Sequence, residues 1–178
     1  MSETKNPKKF GGSAAFLDRS DINTDEIIPA RYLTEITKTA LRPHLLEDLR
    51  LEGFDPVRLA GAKVIVTRAN FGCGSSREHA VWVLEVTDIN VVIAEHFARI
   101  FRQNMFNCGI LAVELPGAEL DKLFALPGPV EIAVDVAGEK LTATGAGGQK
   151  VECAFSLNPF DKRLVEAGGW LAYADARY

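Results

Sequence analysis

Short β-branched runs alternate along the chain with segments of helical periodicity, and the change of period marks the elements. Residues 62–67, Ala-Lys-Val-Ile-Val-Thr after Gly61, are a compact run of the kind found in strands covered on both faces. Residues 13–17 predict a shorter strand upstream. Apolar positions recur every three to four residues over 76–86 and over 97–106, which predicts two helices, while residues 90–94 and 110–114 return to strand character. Gly109 stands where the second helix should stop. Further helices are predicted over 44–51, where Leu45, Leu46 and Leu49 share a face, over 117–126, and over 161–167 before Gly168-Gly169. Beyond Pro129 the pattern alternates strictly over 130–136 and resumes over 140–144, as a hairpin with one wet face would. A central β-α-β-α-β order with a flanking hairpin predicts an α/β fold with a mixed sheet and flanking helices. No repeat or long linker divides the chain, so residues 13–178 are expected to form one domain behind a polar leader over 1–12.

Composition narrows the function classes. The 178 residues are 47% hydrophobic and 25% charged, which is ordinary for a globular chain. A net charge of −4 argues against a general nucleic-acid or anionic-membrane surface. No apolar run approaches the ~20 residues of a membrane span, and the lysine-bearing start has no apolar core of a secretory signal. The expected location is cytoplasmic. Cys73, Cys108 and Cys153 are scattered, odd in number and without a C-x-x-C, which suits a reducing compartment. Three such thiols do not make a zinc cage or an iron–sulfur site from this chain alone, and His44, His79 and His96 lack metal-ligand spacing. No metal is therefore expected in this chain.

The chemistry is concentrated in residues 68–80. Gly72 and Gly74 allow backbone conformations that let main-chain N–H groups converge. Two hydroxyls and the planar fork of Arg77 then arrive at a predicted helix N-terminus, where unpaired amides and the macrodipole favour a small anion. The same residues also spell a capping box, with Ser75 as N-cap and Glu78 reaching back. A dinucleotide fingerprint fails for want of a third glycine, and a triphosphate loop fails for want of Gly-Lys-Ser/Thr. On the following helix His79, Trp82, Val83 and Val86 form one apolar stripe, and Ala80, Val81 and Leu84 another. That predicts a helix buried nearly all round, with Arg77, Glu78 and His79 needing partners near an interior surface.

Residues 70–80, Asn-Phe-Gly-Cys-Gly-Ser-Ser-Arg-Glu-His-Ala, resemble the signature of the swivelling domain of the aconitase superfamily. More closely, they are similar to the small subunit of 3-isopropylmalate dehydratase (isopropylmalate isomerase). Residues 21–33, Asp-Ile-Asn-Thr-Asp-Glu-Ile-Ile-Pro-Ala-Arg-Tyr-Leu, are similar to that family's Asn-Thr-Asp-x-Ile-Ile-Pro motif. Residues 97–104 and 107–110 resemble its third block, and the motifs stand in family order. The resemblance implies a β/β/α swivelling domain that caps a separate large subunit, on which a [4Fe–4S] cluster sits. It implies reversible dehydration and rehydration of a substituted malate, a dicarboxylate, which needs a base, a Lewis acid and cations for the carboxylates.

By that resemblance Ser75 is the base, acting as an alkoxide in a preorganised positive field. Ser76, Arg77 and the Gly74 amide hold a substrate carboxylate, and Asp25 orients the site. The stretch after Tyr32-Leu33 corresponds to a mobile loop that selects substrates, with Thr34, Glu35 and Ile36 at its start. Thr34 stands where an arginine would suggest a third substrate carboxylate, and Ile36 and Leu41 are candidates for an alkyl pocket. Such a pocket discriminates by only ~1–3 kcal/mol per methylene, so isopropylmalate, the first reading, is hard to separate from dimethylmalate and citraconate types. A homoaconitate type, disfavoured by Thr34, and a non-catalytic anion-binding module are the further alternatives. Arg31, Lys38 and Arg42 read as surface charges, and His79 as a satisfied helix residue. Phe97, Phe101 and Met105 read as core, and Cys73 as no cluster ligand. The isolated chain is expected to fold but to be inactive and colourless.

Overall fold

The computed structural model describes residues 9–178. Strands β1 (Gly11–Phe16), β2 (Val64–Val66), β3 (Val91–Ala94) and β4 (Leu111–Glu114) run parallel, and β5 (Glu131–Asp135), β6 (Lys140–Thr144) and β7 (Lys150–Ala154) form an antiparallel meander. Together they make one seven-stranded mixed sheet in the order β4-β3-β2-β1-β5-β6-β7. The strand that joins the two halves serves both. Gly11, Gly12 and Ser13 pair antiparallel with β5, and Ala14, Ala15 and Phe16 pair parallel with β2. Gly11 has φ +118°, and a Cβ there would run into the carbonyl of Ile132, so the start of the antiparallel pairing with β5 needs glycine. Asn90 closes the gap where β2 has not yet begun, accepting from the Gly11 amide at 2.8 Å and donating to its carbonyl at 3.1 Å.

Helices fill the crossovers: α1 (Thr24–Ile27) between β1 and β2, α2 (Glu78–Val86) between β2 and β3, α3 (Arg99–Asn107) between β3 and β4, and α4 (Gly117–Phe124) between β4 and β5. The chain ends in α5 (Pro159–Ala167) and α6 (Trp170–Asp175), and α3 packs against α2, α5 and α6. Every residue of β2 is buried, as is every residue of β3, which explains their unbroken β-branched sequences. Phe97, Phe101 and Met105 are core residues, as their spacing predicts. Gly109, at φ +75°, follows the end of α3, and Gly168 closes α5 in the left-handed conformation. β6 buries Leu141 and Ala143 and turns Lys140 outward, the one-sided alternation read from the sequence.

Several boundaries differ from expectation. β1 begins at Gly11, so the end of the expected leader is strand; residues 1–8 lie outside the described residues. Residues 44–51 do not form a helix. A 3₁₀ turn over Lys38–His44 contains Pro43, and Leu46 takes φ +54°, so the three leucines are buried from consecutive turns instead. α2 and α3 each start two residues later than their periodicity suggests. In α2, Ala80, Val81, Val83 and Leu84 are buried while His79, Trp82 and Val86 are half-buried, so the helix is one-sided rather than enclosed. α1, β7 and α6 were not expected.

Candidate active site

The carboxyl ends of parallel strands are where α/β sheets place their ligand-binding loops, and the loop after β2 is held there by its neighbours on both sides. Phe71 pairs with Phe97 and Cys73 with Asn23 in isolated parallel bridges. The Phe71 amide donates to the His96 carbonyl at 3.2 Å, the Ala98 amide to the Phe71 carbonyl at 3.0 Å, and the Gly72 amide to the Ile22 carbonyl at 2.9 Å. The three sequence motifs are thus sewn together by main chain. Asp21 and Asn70 both take φ +59°, a conformation these residue types tolerate, and the Asn70 amide side chain donates to Asp21 at 2.9 Å.

Aromatic packing sets the floor of the loop. Phe71 is buried, with edge-to-face contacts to Phe97 at 6.1 Å and Phe101 at 5.5 Å. Each such pair contributes about 0.5–1.5 kcal/mol beyond its buried area. Gly72 (φ +80°) lies directly on the Phe101 ring, and a Cβ there would overlap it. This second glycine is required both by conformation and by space.

The capping box lies elsewhere than the sequence suggests. α2 has Arg77 as its N-cap, in extended conformation with no side-chain cap, so Ser75, Ser76 and Glu78 do not close the box expected for them. It is α1 that carries one: the Asn23 side chain accepts from the Glu26 amide at 2.9 Å and Glu26 reaches back to the Asn23 amide at 3.4 Å. Arg19 pairs with Glu26 behind it. Asp25, in the first turn of this capped helix, forms an ion pair with Arg77. Ser75 and Ser76 are exposed in the loop ahead of α2, and the start of that helix has no side-chain cap.

A cleft of about 710 Å³ opens beside the loop, lined by Thr24, Gly74, Ser76 and Arg77 on one side and by α3 and the start of α5 on the other. Four of the expected site residues are therefore together: Gly74, Ser76 and Arg77 line the cleft and Asp25 holds Arg77. Ser75 sits between two lining residues without itself lining the cleft. Thr34, Glu35 and Ile36 are exposed and do not line it either. They are tied to the same helix, because the Glu35 carbonyl lies 3.0 Å from Nε2 of His79, which also packs on Trp82. Leu41, expected in an alkyl pocket, belongs to the core, whereas Ile36 is 93% exposed. Arg31, Lys38 and Arg42 pair with Asp48, Glu85 and Asp88 across the surface.

Sequence reasoning passed over the far wall of the cleft. Arg99, at the first position of α3, has no ion pair among the described residues. Arg102 is held by Asp161 at 3.2 Å and by Glu114 at 3.5 Å. Asp161 is buried in the first turn of α5 and also accepts from Asn158, the N-cap of that helix, at 2.5 Å, so it is a satisfied carboxylate rather than an open ligand. The signal was the pair of arginines three apart in the third motif, on the helix face left over from Phe101 and Met105.

The cysteines do not offer a cluster site. Among the described residues no three His, Cys, Asp or Glu side chains come together as a metal site would require, so the described cysteines do not fit the ligand set of an iron–sulfur cluster. Burial, helped by the Asp21 carboxylate, pushes the Cys73 thiol up from its ordinary pKa, so it holds its proton.

The family described as aconitase C-terminal domain matches residues 5–118. The chain belongs to that family. Within it, the chain is 36% identical to the 3-isopropylmalate dehydratase small subunit of Novosphingobium aromaticivorans, over 95% of this chain and 86% of the relative. It is 40% identical to the small subunit of the same name from Pseudoalteromonas translucida, over 76% of this chain and 74% of the relative. The crystal structure of 3-isopropylmalate dehydratase from Methanocaldococcus jannaschii superimposes with a TM-score of 0.75 at 28% identity, covering 96% of this chain and 95% of that one. This aconitase-family chain therefore shares its fold with a solved 3-isopropylmalate dehydratase chain and more than a third of its aligned residues with dehydratase small subunits. No helix among the described residues is long and apolar enough to cross a membrane.

Proposed function

We propose that this chain is the small subunit of a two-chain hydro-lyase of the 3-isopropylmalate dehydratase type, interconverting 2-isopropylmalate and 3-isopropylmalate. The observation that carries the reading is the cleft beside residues 72–77, where Gly74, Ser76 and Arg77 face Arg99 and Arg102 of α3 at the uncapped start of α2. Similarity to small subunits over most of the chain supports a large-subunit partner, and in this reading the [4Fe–4S] cluster belongs to that partner.

The roles assigned to this chain follow from its donors. Arg77 uses one nitrogen on Asp25, and a guanidinium has five N–H groups, so a planar fork remains for a substrate carboxylate. Ser76 adds a hydroxyl beside it. Ser75 removes the proton from the carbon next to that carboxylate, its alkoxide favoured by Arg77 and by the positive end of the α2 dipole, which has no side-chain cap. The loop with Thr34, Glu35 and Ile36 meets the substrate's alkyl group when the partner closes the site.

The test is co-expression with the large subunit, anaerobic purification and assay on 2-isopropylmalate. Turnover by the wild-type complex and its loss in Ser75→Ala support the proposal. Equal rates for the two remove Ser75 as the base, and absence of any complex with a cluster-bearing partner removes the subunit reading.

A further inference from the structure

We infer that Thr24 is a positioning residue, a clamp on the main chain either side of Gly74 that sets both the Ser75 backbone and the direction of the Ser76 amide. The inference rests on Ser75 being the base. Thr24 is only 1% exposed, yet its two hydrogen-bond donors are both committed to the loop. Its amide donates to the Cys73 carbonyl at 2.9 Å and its hydroxyl donates to the Ser75 carbonyl at 2.7 Å. Gly74, at φ +88°, lies between the two held carbonyls.

Planarity of the peptide gives the consequence. In a trans peptide the carbonyl of one residue and the N–H of the next point in opposite directions, and the one cis bond among the described residues is Gly128–Pro129. Drawing the Cys73 and Ser75 carbonyls toward α1 turns the Gly74 and Ser76 amides away from it. Among the described residues neither of those amides donates to another group, so both stay available to an anion. The next residue, Asp25, holds Arg77. Two adjacent residues of one capped turn thus fix positions 73, 75 and 77, and the Asn23–Glu26 box with Arg19 behind it fixes the turn.

A packing role for Thr24 predicts the opposite mutational pattern. If shape mattered, Thr24→Val would be tolerated and Thr24→Ser would suffer from its lost methyl. The clamp requires the hydroxyl, so Ser is tolerated and Val is not. In the complex with the large subunit, Thr24→Val should lower kcat on 2-isopropylmalate by about ten- to a hundredfold with a smaller change in KM, the penalty expected of a misplaced reacting group. Thr24→Ser should retain the wild-type kcat. On the full chain alone, amide hydrogen exchange over residues 74–77 should rise in Thr24→Val and not in Thr24→Ser, with exchange in β2 and β3 unchanged. A wild-type kcat and wild-type exchange in Thr24→Val, or equal impairment of both variants, overturns the inference. Should Thr24→Val fail to fold, Thr24→Ser decides alone: wild-type behaviour upholds the clamp and impairment sinks it. Should the wild-type complex not turn over, the base assignment falls, and the exchange measurement still decides whether Thr24 holds the loop.

Discussion

Asp25 in α1 and Arg77 at the start of α2 are paired across 52 positions of sequence, and this contact sets which way the guanidinium faces. Lysine at position 77 has a compact charge without a planar fork, so it cannot serve Asp25 and a substrate carboxylate together. Arg77→Lys should raise KM for the malate substrate by more than about tenfold. Asp25→Ala should raise it less, since the arginine stays and loses only its orientation. Steady-state kinetics on the complex checks both, and thermal melting should scarcely move for Asp25→Ala because that side chain is 58% exposed.

Gly72→Ala tests the seat of the loop. The new methyl must occupy the Phe101 ring and the residue must keep a positive φ. Overpacking and left-handed strain together should cost about 2–5 kcal/mol. Urea unfolding should report it as a lowered midpoint with an unchanged slope.

Leu41 and Ile36 should separate stability from selectivity. Leu41 is fully buried, so Leu41→Ala should lose about 2–5 kcal/mol. Ile36→Ala, at a fully exposed position, should leave the melting temperature alone and change the ratio of kcat/KM values among substituted malates. A stability loss at Ile36 would contradict its placement.

Cys153 should resist alkylation in the native protein. Burial, together with the Glu119 carboxylate at 3.4 Å, raises its thiol from the ordinary 9.0 to about 12. Near pH 8 its thiolate fraction, and hence its reaction with iodoacetamide, should be about a thousandfold below that of the unfolded chain. The folded state holds this proton more tightly than the unfolded state, so the associated stability is complete below pH 9.0 and is lost as pH rises toward 12. Denaturant melts across that window give the sign.

The parallel half of the sheet was legible because its strands are buried on both faces and say so residue by residue, as Val64-Ile65-Val66 does. The meander was legible as far as β6 and then lost, since Lys150-Val151-Glu152-Cys153 follows a glycine-rich turn and carries little apolar signal. Periodicity misled over 44–51, where Leu45, Leu46 and Leu49 mimic a helix face but Pro43 and the positive φ of Leu46 break the ladder. In the site, Ser75-x-x-Glu78 has the letters of a capping box, while the box that forms is Asn23-x-x-Glu26. Local pattern does not say which of two matching segments is free to cap, because the loop after β2 is claimed first by its neighbours' main chain. The meeting of positions 24, 73 and 75 is a tertiary fact with no periodic trace.

The double pairing of β1 has a consequence for how the chain comes together. Its second half finds β2 early in sequence, but its first half waits for β5, with Gly11 opposite Ala133. Closing so long a loop is entropically slow, and non-local pairings of this kind delay folding. During synthesis the outer edge of β1 stays uncovered until most of the chain has emerged, leaving an unpaired strand edge for other chains to join. The strand that serves both halves of the sheet therefore also marks the place where misassembly would start.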